Sequence, residues 1–277
     1  GDGGMRGEIM KSRKWREIRS SKMFTLCSLL VVIFIIFTIA TGGRILRPRN
    51  LRNIMQSITV VSFLAIGSGM LMISGNVDLS VAAVGTLGPI VLAAFIRMGL
   101  PWYAALIIAL AVCALIGVIN ASLITRMRFP AFIATLGMAS VANGLAYTIG
   151  DGKNIDIDSR FLEFIGTERI AQYIPVSIFV SLIALLVYGI ILKRTKFGRS
   201  IYLVGGSPEA SRLVGLKPKK IFYALFINAS CLGCIAGVML AARLKTATCT
   251  GISTSQFTGI TAAVLGGVSF GGGAGGM

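Results

Sequence analysis

KRTKFGRSIYLVGGSPEASRLVGLKPKK, residues 193–220, decides how this chain is read. It carries eight Lys or Arg (Lys193, Arg194, Lys196, Arg199, Arg212, Lys217, Lys219, Lys220) against one acid, Glu209. Apolar runs at about 175–192 and 221–242 flank it, and each is long enough to cross a bilayer. The positive-inside effect holds a basic segment between two spans on the cytoplasmic side. Within it, residues 208–213 read as a short helix, with Ser207 as N-cap and Pro208 at the first helical position. Gly205-Gly206 before it and Gly215 after it are turn signals. A short helix presented to the cytoplasm by a membrane protein is a docking element. The plainer reading is a solvated basic linker.

Composition sets the class. Of 277 residues, 55% are hydrophobic and 13% charged, where soluble domains average about 25% charged. Whole segments of seventeen or more residues hold almost no charge, so the fold class is all-α, a polytopic transmembrane helical bundle. The net charge of +17 does not point to nucleic acid, because the basic residues flank apolar spans instead of lining one face. Anionic membrane lipid and the positive-inside effect account for them.

No soluble-enzyme constellation is found. The chain has no His, which removes Ser-His-Asp, Cys-His and HExxH arrangements. Its glycine-rich end lacks the GK[ST] of a phosphate-binding loop. The chain is thus expected to be no enzyme and to need no cofactor or metal. Its five cysteines lie in or beside apolar runs, unlike a disulfide framework. Cys231-Leu-Gly-Cys234 has redox spacing but reads as helix packing, and Gly233 and Gly237 beside it form a GxxxG pattern for close helix approach.

Outward from the organising loop, residues 1–24 form a basic N-terminal segment with seven Lys or Arg, and the transmembrane domain is placed at 25–277. Spans are expected at about 23–42, 54–74, 81–97, 102–124, 131–149, 175–192 and 221–242, with a weaker one at 258–270, about eight in all. Residues 151–174 are acidic on balance and read as an extracytoplasmic loop containing a short surface helix. With the N-terminus inside, cytoplasmic segments hold 17 Lys or Arg and external ones 10. That orientation is preferred. The four arginines at 44–52 run against it.

One carboxylate lies at membrane depth, Asp78, in the stretch from Met72 to Val81. Gly75-Asn76 would break a helix there, and Asp78 or Ser80 could cap the next one. An ionisable residue between two spans also marks a transport pathway, since broken helices near the midplane form transporter sites. Asn76, Asp78 and Ser80 are therefore pathway or helix-break candidates, with a purely structural cap as the alternative. The hydroxyl- and glycine-rich stretches 246–256 and 268–276 point to irregular backbone lining protein or water.

Five ordered motifs together resemble the permease subunits of the ribose, galactoside and autoinducer-2 type of sugar ABC importer. Gly75-Asn76-Val77-Asp78-Leu79-Ser80-Val81 looks like that family's GGIDLSVG, with Asn76 and Ala82 in place of glycines. Asn50-Leu51-Arg52-Asn53-Ile54, with Gln56 and Ala65-Ile66-Gly67, is similar to the stretch that precedes it. Phe129 to Gly137 is similar to PPFIxTLG, with Asn143 where an arginine is usual. In the organising loop Thr195, Gly198, Arg199, Gly205, Ala210 and Gly215 agree with T-x-x-G-R…G-x-N-x-x-A-A-x-x-x-G-I, whereas Ser207 and Ser211 depart. Ile260 to Phe270 resembles IAAVVIGGTSL, with Gln256 where an acid is common.

The resemblance implies that Thr195, Gly198, Arg199, Gly205, Glu209, Ala210 and Gly215 belong to a loop docked on a cytoplasmic ATP-binding subunit, where ATP is hydrolysed. It implies a second permease copy or paralogue, an extracytoplasmic solute-binding protein and a small polar solute, with no nucleic acid partner. It implies the inner membrane, alternating access, and a family chain that continues past GGxG, so that a fragment is expected here. The competing class is an ion- or proton-coupled secondary transporter that titrates Asp78.

Overall fold

The computed structural model describes residues 22–170 and 173–276. The first 21 residues, most of the basic N-terminal segment, lie outside the described residues. The described elements are helices and four two-residue strands, so the all-α expectation holds. The helices are α1 (Lys22–Ala40), α2 (Pro48–Ile73), α3 (Val81–Arg97), α4 (Trp102–Thr125), α5 (Ala131–Ile149), α6 (Arg160–Thr167) and α7 (Val176–Arg194). They continue as α8 (Lys196–Gly206), α9 (Pro208–Leu213), α10 (Pro218–Leu244) and α11 (Gln256–Leu265). By contacts the chain divides into two units, up to Leu51 and from Arg52. In the first, α1 is an apolar helix with Leu30, Ile36 and Ile39 exposed. Gly42 and Gly43 end it before the short helical turn Arg44–Leu46.

The expected count of about eight spans is not confirmed. Among the described residues five helices are long and apolar enough to cross a membrane, namely α2, α4, α5, α7 and α10. The apolar part of α1 (Thr25–Ala40) and α3 are shorter. α11 has ten residues and rises about 15 Å, half of a hydrocarbon core of about 30 Å. The physical reason lies on both sides of α11. Before it, Thr246–Ala247 forms strand β4, paired antiparallel with β1 (Ile155–Asp156), and the Ile252 N–H donates to Thr86 Oγ1 at 3.1 Å. After it, Gly267 adopts φ 97°. The eighth run is a short helix flanked by irregular backbone that is satisfied by protein, as the scarcity of water in a bilayer requires.

The second unit is centred on α2, α3 and α10. The apolar window of α10 is 67% buried and that of α2 is 61%, against 17% for α7, which puts α7 at the periphery. Leu186 and Ile190 of α7 and Phe132 and Ile133 of α5 are exposed, as apolar side chains facing lipid would be. The expected GxxxG approach is made by α10 on α3. A Cβ at Gly237 would overlap the Gly85 carbonyl, and one at Gly233 the Val81 carbonyl, so only glycine lets the two backbones meet. Cys234 is buried in the same contact region, and Cys231, one turn away, is half-buried.

The long axis of α10, about 40 Å for 27 residues, separates two ends of this unit. At the Leu244 end lie β1, β4 and α6, with Gly166 against the Ala242 backbone, Gln56 donating to the Gly166 carbonyl, and Trp102 stacked on Phe161 at 3.9 Å. Lys245 and Glu163 form an ion pair there. At the Pro218 end lie α8 and α9 of the organising loop. α6 is the short surface helix expected in 151–174, and two more short strands, Arg169–Ile170 and Ile174–Pro175, close that loop.

Candidate functional site

The first candidate grows from the way α2 ends. Gly75 takes φ 81°, its N–H donates to the Met72 carbonyl at 2.9 Å, and the Asn76 N–H donates to the Leu71 carbonyl at 3.0 Å. This pair of bonds closes a helix on a left-handed glycine and satisfies its last carbonyls. The chain then turns through residues 76–80 into α3.

In that turn Asp78 Oδ1 accepts two hydrogen bonds from Ser80, from the backbone N–H at 2.7 Å and from the hydroxyl at 2.6 Å. Ser80 Oγ in turn accepts from the Asn120 side-chain amide at 2.8 Å, which ties the turn to α4. The Leu79 N–H donates to Thr135 Oγ1 at 3.1 Å, which ties it to α5. Asp78, Ser80, Asn120 and Thr135 are all buried. Asp78 Oδ2 and Asn120 Oδ1 are buried without a hydrogen-bond partner. The motifs around Asp78 and around Thr135 thus meet at one polar hub, and Asn120 joins them.

Two expectations change here. Ser80 is the N-cap residue of α3, but its side chain makes no capping bond. Asp78 does not reach into the first turn either, because its oxygen is already engaged by the Ser80 N–H two residues on. The pair stabilises the turn instead of the helix end. Asn76 stands apart from the hub, half-buried, and its amide reaches only Ser74 Oγ at 3.5 Å. Asn120 had no motif to announce it. A polar side chain inside the otherwise apolar Trp102–Thr125 run was the available signal. Among the described residues no group of three His, Cys, Asp or Glu could hold a metal ion.

The second candidate is the organising loop. Thr195 is the N-cap of α8, accepting from the Gly198 N–H at 3.0 Å and donating to the Ile191 carbonyl at 2.6 Å. Ser207 caps α9, accepting from the Ala210 N–H at 3.1 Å, and Pro208 occupies the first turn. The helix Pro208–Leu213 has the expected bounds, and Gly215 at φ 82° ends it. Gly205-Gly206 is not a turn, however. Both residues lie in α8.

The seven expected docking residues divide by exposure. Arg199, Glu209, Ala210 and Gly215 are exposed, whereas Thr195, Gly198 and Gly205 form the frame beneath them. A Cβ at Gly198 would overlap the Leu192 carbonyl, and one at Gly205 the Ile73 carbonyl. Two exposed apolar residues of the loop carried no signal in the sequence. Leu213 is 89% exposed and Val214 70%, an apolar pair at the tip of a charged loop.

Gly205 connects the two candidates. Its backbone lies against Ile73, the last residue of α2, and against Gly273 of the glycine-rich stretch, whose N–H donates to the Ile73 carbonyl at 2.8 Å. Gly272 packs on both Gly205 and Gly75. The base of the loop, the end of α2 and residues 272–273 therefore meet backbone to backbone, five residues ahead of Asp78. Rigid packing of this kind passes displacement without side-chain slack.

A family profile described as branched-chain amino acid transport system / permease component matches residues 50–276. The fructose import permease of Rhizobium meliloti is 31% identical over 256 residues, covering 89% of this chain and 71% of that protein. The ribose import permease of Bacillus subtilis is 30% identical over 248 residues, covering 89% and 76%. The L-arabinose transport system permease of Escherichia coli is 27% identical over 279 residues, covering 99% and 81%. No solved structure matches.

Proposed function

We propose that this chain, which belongs to the branched-chain amino acid transport system permease family, is the membrane subunit of an ATP-driven importer for a monosaccharide or related polar solute. The solute class rests on relatives named for fructose, ribose and arabinose. The observation that carries the mechanism is the backbone junction of Gly205, Ile73 and Gly273, which joins an exposed loop helix to the break between α2 and α3.

A cytoplasmic ATP-binding subunit docks on α9, burying Leu213 and Val214 with Ala210 and Glu209 beside them. Its closure and opening moves α9 and α8 as one body, and the Gly205 junction carries that displacement to α2 and to the turn holding Asp78, Ser80 and Asn76. The membrane helices then alternate between an outward-open and an inward-open state. The ATP-binding subunit supplies the free energy and the permease the differential contacts. A second permease copy or paralogue completes the path, and an extracytoplasmic binding protein delivers the solute.

The protein is multi-pass in the inner membrane with its N-terminus cytoplasmic. Residues 193–220, eight basic residues against one acid, face the cytoplasm, and residues 151–174, three against five, face outward. Co-purification tests the docking surface. Leu213→Ser with Val214→Ser should release the ATP-binding subunit while membrane insertion stays normal. Full retention of that subunit by the double variant overturns the assignment.

A further inference from the structure

We infer that the Pro218 end of α10 carries a specific site for the headgroup of an anionic phospholipid. A cavity of about 750 Å³ opens there between the end of α4, the turn that follows it, α9 and the start of α10. Six cations line it: Arg126, Arg128, Arg212, Lys217, Lys219 and Lys220. Among the described residues the ion pairs are Lys153–Asp151 and Lys245–Glu163, so no carboxylate neutralises any of the six. Like charges gathered round one cavity repel one another, and a phosphodiester between them relieves that repulsion.

Two further features shape the ligand. Arg126 is held in place, its guanidinium carbon 6.0 Å from the Tyr223 ring centroid, and the Tyr223 hydroxyl is bonded to Ser122 Oγ at 2.7 Å. Such a positioned guanidinium suits phosphate recognition. Besides Thr125, the rest of the lining is apolar, with Ile124 from α4, Leu216 just before α10, and Pro218 and Phe222 in its first turns. A free inorganic phosphate would leave that apolar wall unused. A phospholipid uses both parts, its phosphate among the cations and its glycerol and upper chains along α4 and α10, both long enough to span a bilayer. The cavity also touches Arg212 of α9, so an occupied site would brace the loop helix.

Native mass spectrometry of the full chain in neutral detergent, titrated with phosphatidylglycerol, cardiolipin or phosphatidylcholine, tests this. The expected result is one site that prefers the anionic lipids. Lys217→Gln, Lys219→Gln and Lys220→Gln together should weaken it roughly a hundredfold, at about fivefold per cation near a membrane surface. Replacing the same three with Arg should leave affinity within about twofold, since the electrostatic contribution follows charge. Arg160→Gln, Arg169→Gln and Arg243→Gln, at the Leu244 end, should do the same. Equal retention of phosphatidylcholine, or equal loss in the variant of the Leu244 end, overturns the proposal. So does full displacement by millimolar pyrophosphate, which would make free phosphate the ligand. A Gln variant that keeps its lipid but loses the co-purifying ATP-binding subunit would assign the patch to a protein partner and overturn it as well.

Discussion

Gly205→Ala strikes the junction on which the proposed transport mechanism rests, and its neighbour supplies the control. A Cβ at Gly205 lands on the Ile73 carbonyl and close to the Gly273 N–H, both backbone atoms that no rotamer change can move aside. Overpacking of this kind costs typically about 1–3 kcal/mol. If residues 272–273 are pushed away, the 2.8 Å bond from Gly273 N–H to the Ile73 carbonyl is lost as well, for about 1 kcal/mol more. The sum is about 2–4 kcal/mol, or roughly 5–15 °C in the thermal midpoint for a chain of this size. Gly206 is also helical, but a Cβ there meets nothing within 4 Å. Gly206→Ala should therefore be neutral or gain up to about 1 kcal/mol from helix propensity. In proteoliposomes with the ATP-binding subunit, Gly205→Ala should keep that subunit bound yet lose most ATP-driven uptake, because α9 is untouched and only its link to α2 is parted. Wild-type midpoint and wild-type uptake by Gly205→Ala would refute the reasoning, as would equal losses in the two variants.

Three further outcomes are expected. Ala210→Trp adds volume to the exposed face of α9 and should abolish both co-purification of the ATP-binding subunit and uptake, while membrane insertion is unchanged; normal values of either would remove Ala210 from the docking surface. Asp78→Asn keeps an acceptor for the Ser80 N–H and should stay within about 1 kcal/mol of wild type, whereas Asp78→Leu should cost about 2 kcal/mol by stranding the buried Ser80 N–H and hydroxyl; equal stability of the two, by thermal unfolding, would mean the hub does not hold the turn. A single cysteine at 158 should react with an impermeant reagent on sealed right-side-out cells, in a background without native cysteines, and one at 209 should not; labelling at 209 would invert the topology.

Local features were legible in the sequence and long-range ones were not. Helices α3 and α5 fall on 81–97 and 131–149 as expected, since charge and proline bound them sharply. Ser207 and Pro208 marked the start of α9 because capping is a property of neighbours. Gly205-Gly206 misled for the opposite reason. Gly205 is needed for contact with Ile73, 132 positions earlier, and such an approach leaves no trace in the adjacent residues. Asn120 and Thr135 were hidden likewise, since only the packing of α4 and α5 brings them to the Asp78 turn. Leu213 and Val214 were passed over because apolar residues in a short helix read as its buried side, when here they are its exposed tip.

Uptake driven by ATP tests the central claim most directly. The chain would be reconstituted with its ATP-binding subunit and solute-binding protein, and entry of labelled ribose, fructose and arabinose measured with MgATP, with a nonhydrolysable analogue, and with a pH gradient alone. The account predicts accumulation of at least one sugar with MgATP only, unaffected by collapse of the proton gradient and retained in Asp78→Asn. Accumulation that follows the pH gradient without ATP, and disappears in a folded Asp78→Asn, would contradict it and make Asp78 the coupling group of a secondary transporter.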